Sequence, residues 1–111
     1  MYRQPRHETV AIASGDDTSA EIHVGDYIIA GIQMPAAITS TSLTFHGSAT
    51  HGGTYAPIYD SDGNAIAVPV AASRAIGLSA AEADALAPWP WVKVVMGSNE
   101  GDDRELILVL K

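Results

Sequence analysis

Apolar residues in this chain come in short alternating runs, and the runs recur about every ten residues with turn-forming residues between them. In residues 9–13 (TVAIA), Val10 and Ile12 fall on one face, and in residues 21–24 (EIHV), Ile22 and Val24 do. Residues 42–48 (SLTFHGS) set Leu43 and Phe45 against Thr44 and His46. Residues 27–34 (YIIAGIQM) are nearly continuously apolar, which predicts a strand covered on both faces or lying mid-sheet; Pro35 ends it. Residues 54–60 (TYAPIYD) form a run interrupted by Pro57, which predicts an edge or a bulge. Asp62 and Gly63 supply left-handed turn positions and predict a hairpin into residues 65–70. Residues 72–78 (ASRAIGL) and 91–96 (WVKVVM) are further strands, and the apolar run in 104–110 (RELILVL) predicts a central one.

Ser79 and Glu82 have the spacing of a capping box, so a short helix opens there; Pro88 and Pro90 stop it by Ala87. About eight or nine short strands with one helical segment predict an all-β fold, an antiparallel two-layer β-sandwich or jelly roll. A parallel α/β sheet would need long crossover helices, and none is present. At 111 residues the chain holds one domain. Residues 1–7 are polar with a proline and read as a flexible N-terminal arm; residues 8–111 are the β domain. The predicted core is Val10, Ile12, Ile22, Leu43, Phe45, Ile76, Val92, Val94, Leu106, Leu108 and Leu110.

Charge narrows the function classes. Six Lys and Arg stand against thirteen Asp and Glu, a formal net charge of −7. A nucleic-acid binder needs a basic stripe to displace counterions, and an anionic membrane surface makes the same demand. The sequence offers no such stripe and no apolar run of membrane-spanning length, so it predicts a soluble protein without nucleic-acid or membrane partners. With no cysteine, disulfides, thiolate metal sites and cysteine nucleophiles are excluded, and folding in a reducing cytoplasm is favoured.

Candidate chemistry is sparse. Residues 60–64 (DSDGN) look like a fragment of a calcium loop, but Pro69 stands where the closing Glu would be, and a hairpin turn is the simpler reading. His7, His23, His46 and His51 lack the spacing of a zinc set. No serine sits in a nucleophile elbow. The loop acids Asp16, Asp17 and Glu100 to Asp103 read as solvated. No catalytic residue, metal or cofactor is therefore expected. The unusual segment is Pro88-Trp89-Pro90-Trp91, for which two readings stand. Either Trp89 and Trp91, with Tyr55 and Tyr59, form a sugar-stacking platform, or one Trp plugs the end of the sandwich while the other packs at a subunit interface.

Several segments together resemble a small structural protein family of tailed bacteriophages, of the capsid-decoration or virion-associated β-sandwich type. They are residues 9–15 (TVAIASG), residues 27–36 with Gly31-Ile-Gln-Met-Pro-Ala36 at their core, Leu43-Thr-Phe45 with Gly47-Ser48, Gly53-Thr-Tyr55 with Tyr59-Asp60 and the Gly63 turn, Val92-Lys-Val94, and residues 106–110. The chain departs from the pattern in its acidic loop 97–103 and in the Pro-Trp-Pro-Trp segment. The resemblance implies a virion component assembled in the host cytoplasm, with capsid decoration or cement as the expected role and a head–tail or tail position as its variant. It brings no catalytic or binding residues. The expected partners are capsid or other virion proteins and further copies of the chain, a trimer being the simplest ring. Arg3 and Arg6 in the arm, with Trp89 and Trp91, are the expected interface residues. A carbohydrate-binding module is the alternative from another class, and a small hydrolase the third.

Overall fold

The computed structural model describes residues 6–111. One sheet contains β1 (Arg6–Ile12), β3 (Ile29–Gln33), β7 (Ala75–Gly77) and β9 (Arg104–Leu110), in the order β1-β9-β3-β7. The other contains β2 (Ile22–His23), β4 (Ser42–Ser48), β5 (Ala56–Pro57), β6 (Ala67–Pro69) and β8 (Trp91–Met96). Its order is β2-β8-β4-β5, with β6 also pairing β4. The one helix among the described residues, α1 (Ala80–Leu86), carries the chain from β7 back to β8.

Every pairing is antiparallel, and the pairs are nested: β4 with β6, β3 with β7, β2 with β8, β1 with β9. The chain is thus one long hairpin, rolled so that β9 also pairs β3 and β8 also pairs β4. Successive arms of the ribbon alternate between the two sheets, which is the jelly-roll arrangement. The expected all-β sandwich is therefore what forms, and β9 takes the predicted central place, between β1 and β3.

Period-2 alternation puts one side of each sheet into a shared core. Val10, Ile12, Leu106, Leu108 and Leu110 enter it from the first sheet and Leu43, Phe45, Val92, Val94 and Met96 from the second. Ile22 and Ile76, expected in the core, are only half-buried. Both lie on edge strands, β2 and β7, where the facing sheet no longer covers them fully. The apolar run 27–34 contains β3, which lies mid-sheet between β9 and β7, one of the two expected placements, and it also carries an irregularity. The β3–β9 register shifts between Ile29 and Gly31, leaving one extra residue, a β-bulge. The bulge reverses the alternation, so that Ile29 and Ile32, three apart, are both buried. Gly31 is needed at that point, since a Cβ there would stand 2.9 Å from the Ile76 carbonyl oxygen across the β3–β7 pair.

Pro57 and Pro69 lie in β5 and β6, on the outer edge beside β4, where a missing N–H removes nothing from an internal ladder. The Ser79–Glu82 capping box is formed in both directions. Of the predicted arm, residues 1–7, the last two belong to a strand instead: Arg6 and His7 pair with Leu110 and Val109 in β1. Residues 1–5, including Arg3, lie outside the described residues. No helix among the described residues is long and apolar enough to cross a membrane.

One loop acid departs from expectation. Glu100 is 1% exposed, not solvated. Its carboxylate accepts hydrogen bonds from the Thr39 and Ser40 amides (2.8 and 3.0 Å), the Ser40 hydroxyl (2.6 Å) and Arg104 Nε (3.0 Å). Its own amide donates to Asp16 and its carbonyl accepts from Gly15. Glu100 therefore ties together the β1–β2, β3–β4 and β8–β9 loops at one end of the roll. Burial alone would push this carboxyl up, but the bonds from Ser40, Thr39 and Arg104 outweigh it and hold the group below its ordinary value.

Candidate functional site

The Pro-Trp-Pro-Trp segment joins α1 to β8, at the opposite end of the roll from Glu100, and it sends its two indoles to opposite sides of the second sheet. In β8, Val92, Val94 and Met96 face the core, so Trp91 and Lys93 face outward. Register brings Trp91 opposite His23 on one side and Ser48 on the other, and Lys93 opposite His46. Trp91 is then sandwiched. The His23 ring stacks on it at 4.2 Å between centroids and the His51 ring at 4.4 Å, with interplanar angles of 19° and 21°.

The stack continues into a polar chain. His51 Nε2 lies 3.0 Å from Glu21 Oε1, an ion pair when the imidazole is protonated. Glu21 also accepts from the Tyr55 hydroxyl, and Lys93 Nζ sits 4.6 Å from the Tyr55 ring centroid. The Tyr55 hydroxyl, opposed by burial and helped by the Gly52 amide and the charges of His51 and Lys93, holds the Glu21 carboxyl below its ordinary value. Burial and then the Glu21 carboxylate push the Tyr55 phenol up to about 12.

Trp89 faces the other way and packs at the end of the core. Gly47 makes room for it, since a Cβ there would lie 2.9 Å from both Trp89 Cγ and Ile58 Cδ1. Beside Trp89 the surface opens into two adjoining hollows that share Trp89 and Tyr59. One, about 390 Å³, runs along β5 past Thr54, Ala56, Pro57 and Ile58. The other, about 560 Å³, lies between the hairpin turn and α1 and is walled by Asp60, Asp62 and Asp84. Tyr59 is 56% exposed at the join.

The four aromatics of the expected sugar platform thus divide into two pairs. Trp91 and Tyr55 belong to the outer sheet face, where imidazoles already cover both faces of the indole. Trp89 and Tyr59 belong to the groove. Arg6, the other described interface candidate, is paired with Glu8, and its guanidinium lies 5.2 Å from the Tyr27 ring centroid. The residues 60–64 fold as a hairpin turn, with Gly63 at φ +86°. There the Asp60 carboxylate accepts from the Asp62 and Asn64 amides at 3.0 and 2.9 Å. Among the described residues, no group of three or more His, Asp or Glu is placed to hold a metal ion.

Sequence reasoning missed the partners of both tryptophans. The alternation that buries Ile22 and Val24 already puts Glu21 and His23 outward together, but only the β2–β8 register sets His23 against Trp91. The acids of the groove come from a turn and a helix about 20 residues apart, and no local spacing links them.

Two antiparallel sheets in jelly-roll order, with an aromatic groove at one end, define the class of domain. The same fold is seen in the crystal structure of the SPBc2 prophage-derived protein YomS, with a TM-score of 0.59 over 99% of this chain and 96% of that one, at 11% sequence identity. No family model matches the chain, and no curated protein matches it in sequence.

Proposed function

We propose that this chain is a structural protein of a tailed-phage particle and works by surface contact rather than catalysis. The observation that carries this reading is the end-to-end likeness of its fold to a prophage-derived protein. A jelly roll serves many functions, viral shell proteins among them, so the fold is compatible with the role without requiring it. The resemblance of segments 9–15, 27–36 and 43–48 to small virion proteins points the same way. Their residues do structural work: Gly31 admits β7 beside β3, and Gly47 seats Trp89. The acidic balance suits a protein that must not adhere to packaged DNA.

Within that role, decoration of the capsid is the specific proposal. Its partners are shell proteins and further copies of itself, a trimer on a local symmetry axis being the simplest arrangement. The site of action is the virion, after assembly in the host cytoplasm. Cryo-electron microscopy of the parent particle tests this directly. Density for the jelly roll on the outer shell is the expected result. Density at the neck or tail would move it to the head–tail variant. Absence of the protein from purified particles, with abundant protein in infected cells, would overturn the virion reading.

A further inference from the structure

The groove at Trp89 and Tyr59 has a character that the packing of the domain does not demand. The hollow along β5 is lined by Trp89, Ala56, Pro57 and Ile58, with Ser48, Thr50 and Thr54 among its polar lining. Tyr59 projects beside it and is the most exposed large apolar side chain among the described residues. The hollow between the turn and α1 carries three carboxylates, Asp60 and Asp62 from the turn and Asp84 from the helix, and no Lys, Arg or His lines either hollow. Asp60 is committed to the turn. Among the described residues, no hydrogen bond or ion pair engages the carboxylates of Asp62 or Asp84.

We propose that this groove docks an extended segment of a partner protein in which an arginine follows an apolar or proline residue. Charge complementarity selects the arginine. Two unengaged carboxylates beside an exposed ring are the surroundings that a guanidinium satisfies, accepting its planar N–H fork while its face lies on Tyr59. The neighbouring apolar residue then covers Trp89 in the hollow along β5, a mostly apolar surface depression of the kind extended segments dock against. Binding also relieves the mutual repulsion of acids in a chain of net charge −7. A neutral glycan could stack on Tyr59 but would leave the charges unanswered. The inference does not depend on where in a particle, if anywhere, the protein sits.

The test uses the full chain and a blocked synthetic peptide, Ala-Pro-Arg-Pro-Arg-Ala, titrated against backbone amide shifts in nuclear magnetic resonance spectra. Saturable shifts confined to residues 54–62 and 81–89 are expected. The same peptide with Gln for both Arg should bind about tenfold more weakly or worse, and the Asp62→Asn, Asp84→Asn double variant should lose a similar factor. Raising salt from about 50 to about 500 mM should weaken the Arg peptide far more than the Gln peptide. Tyr59→Ala should lose affinity with an unchanged melting temperature, since the ring is exposed. Equal binding of the Gln peptide, no saturable shift up to about 1 mM Arg peptide, or a response to neutral oligosaccharides in its place would overturn the proposal.

Discussion

Glu100 shows how one side chain can hold loops that alternation says nothing about. Removing it leaves the Thr39 and Ser40 amides and the half-buried Arg104 without their acceptor, so Glu100→Ala should cost about 3–5 kcal/mol, read by urea denaturation. Its carboxyl is held below the ordinary value in the native state. As pH falls, the unfolded chain therefore takes up a proton before the native one does. The stability from this group is complete above the ordinary carboxylate value and is lost as pH falls through the depressed native one. A urea midpoint that declines in that acidic window, with the decline flattened in Glu100→Gln, is the expected pattern. Nothing local marked the residue out. It stands in an Asn-Glu-Gly-Asp-Asp stretch that has the composition of a solvated turn, and although Arg104 is four residues on, its partners Thr39 and Ser40 lie about 60 residues away in sequence. The core positions Leu43, Phe45, Val92, Val94, Leu106, Leu108 and Leu110 were legible for the opposite reason: each is set by its immediate neighbours, through a period of two.

Among the elements, the bounds of β4, β8 and α1 follow directly from alternation and from the capping box, whereas β3 was obscured by its bulge. The apolar run pointed to burial on both faces or a mid-sheet place, and β3 has the latter; the shift of register within it is visible only in the pairing. Pairing also builds the outer-face cluster, in which the segment before β2, the loop after β4 and strand β8 meet through Glu21, Tyr55, His51 and Trp91. The coupling can be followed optically. Tyr55 is pushed up to about 12 from an ordinary 10.0, by burial first and then by Glu21. In an ultraviolet titration of phenolate absorbance, the Tyr55 component, identified by its loss in Tyr55→Phe, should ionise well above the ordinary tyrosine value, and Glu21→Gln should bring it part of the way back. The matching stability is whole below the ordinary tyrosine value and is lost as pH rises through the native one, because the native state keeps the proton longer. A Tyr55 transition that Glu21→Gln leaves unmoved would show that Glu21 and Tyr55 are not coupled in solution.

For the whole molecule, the two sheets share one core, and the protein should unfold in one cooperative step. Leu108 sits at its middle, unexposed, in the strand flanked by β1 and β3. Leu108→Ala should cost about 2–5 kcal/mol and leave far-UV circular dichroism unchanged under native conditions. Two separate transitions by tryptophan fluorescence and circular dichroism would mean that the sheets fold as independent units. The nested pairing also orders events in time. Strand β9 lies between β1 and β3, yet it is translated after both. Until β9 has emerged from the ribosome, the flanking strands have no common neighbour, and the inner faces of Val10, Ile12 and Ile32 have no Leu106 or Leu108 to meet. The four-stranded sheet therefore cannot close during synthesis of the earlier strands, however stable the finished domain is. Its nascent chain is the form most exposed to aggregation and to chaperones.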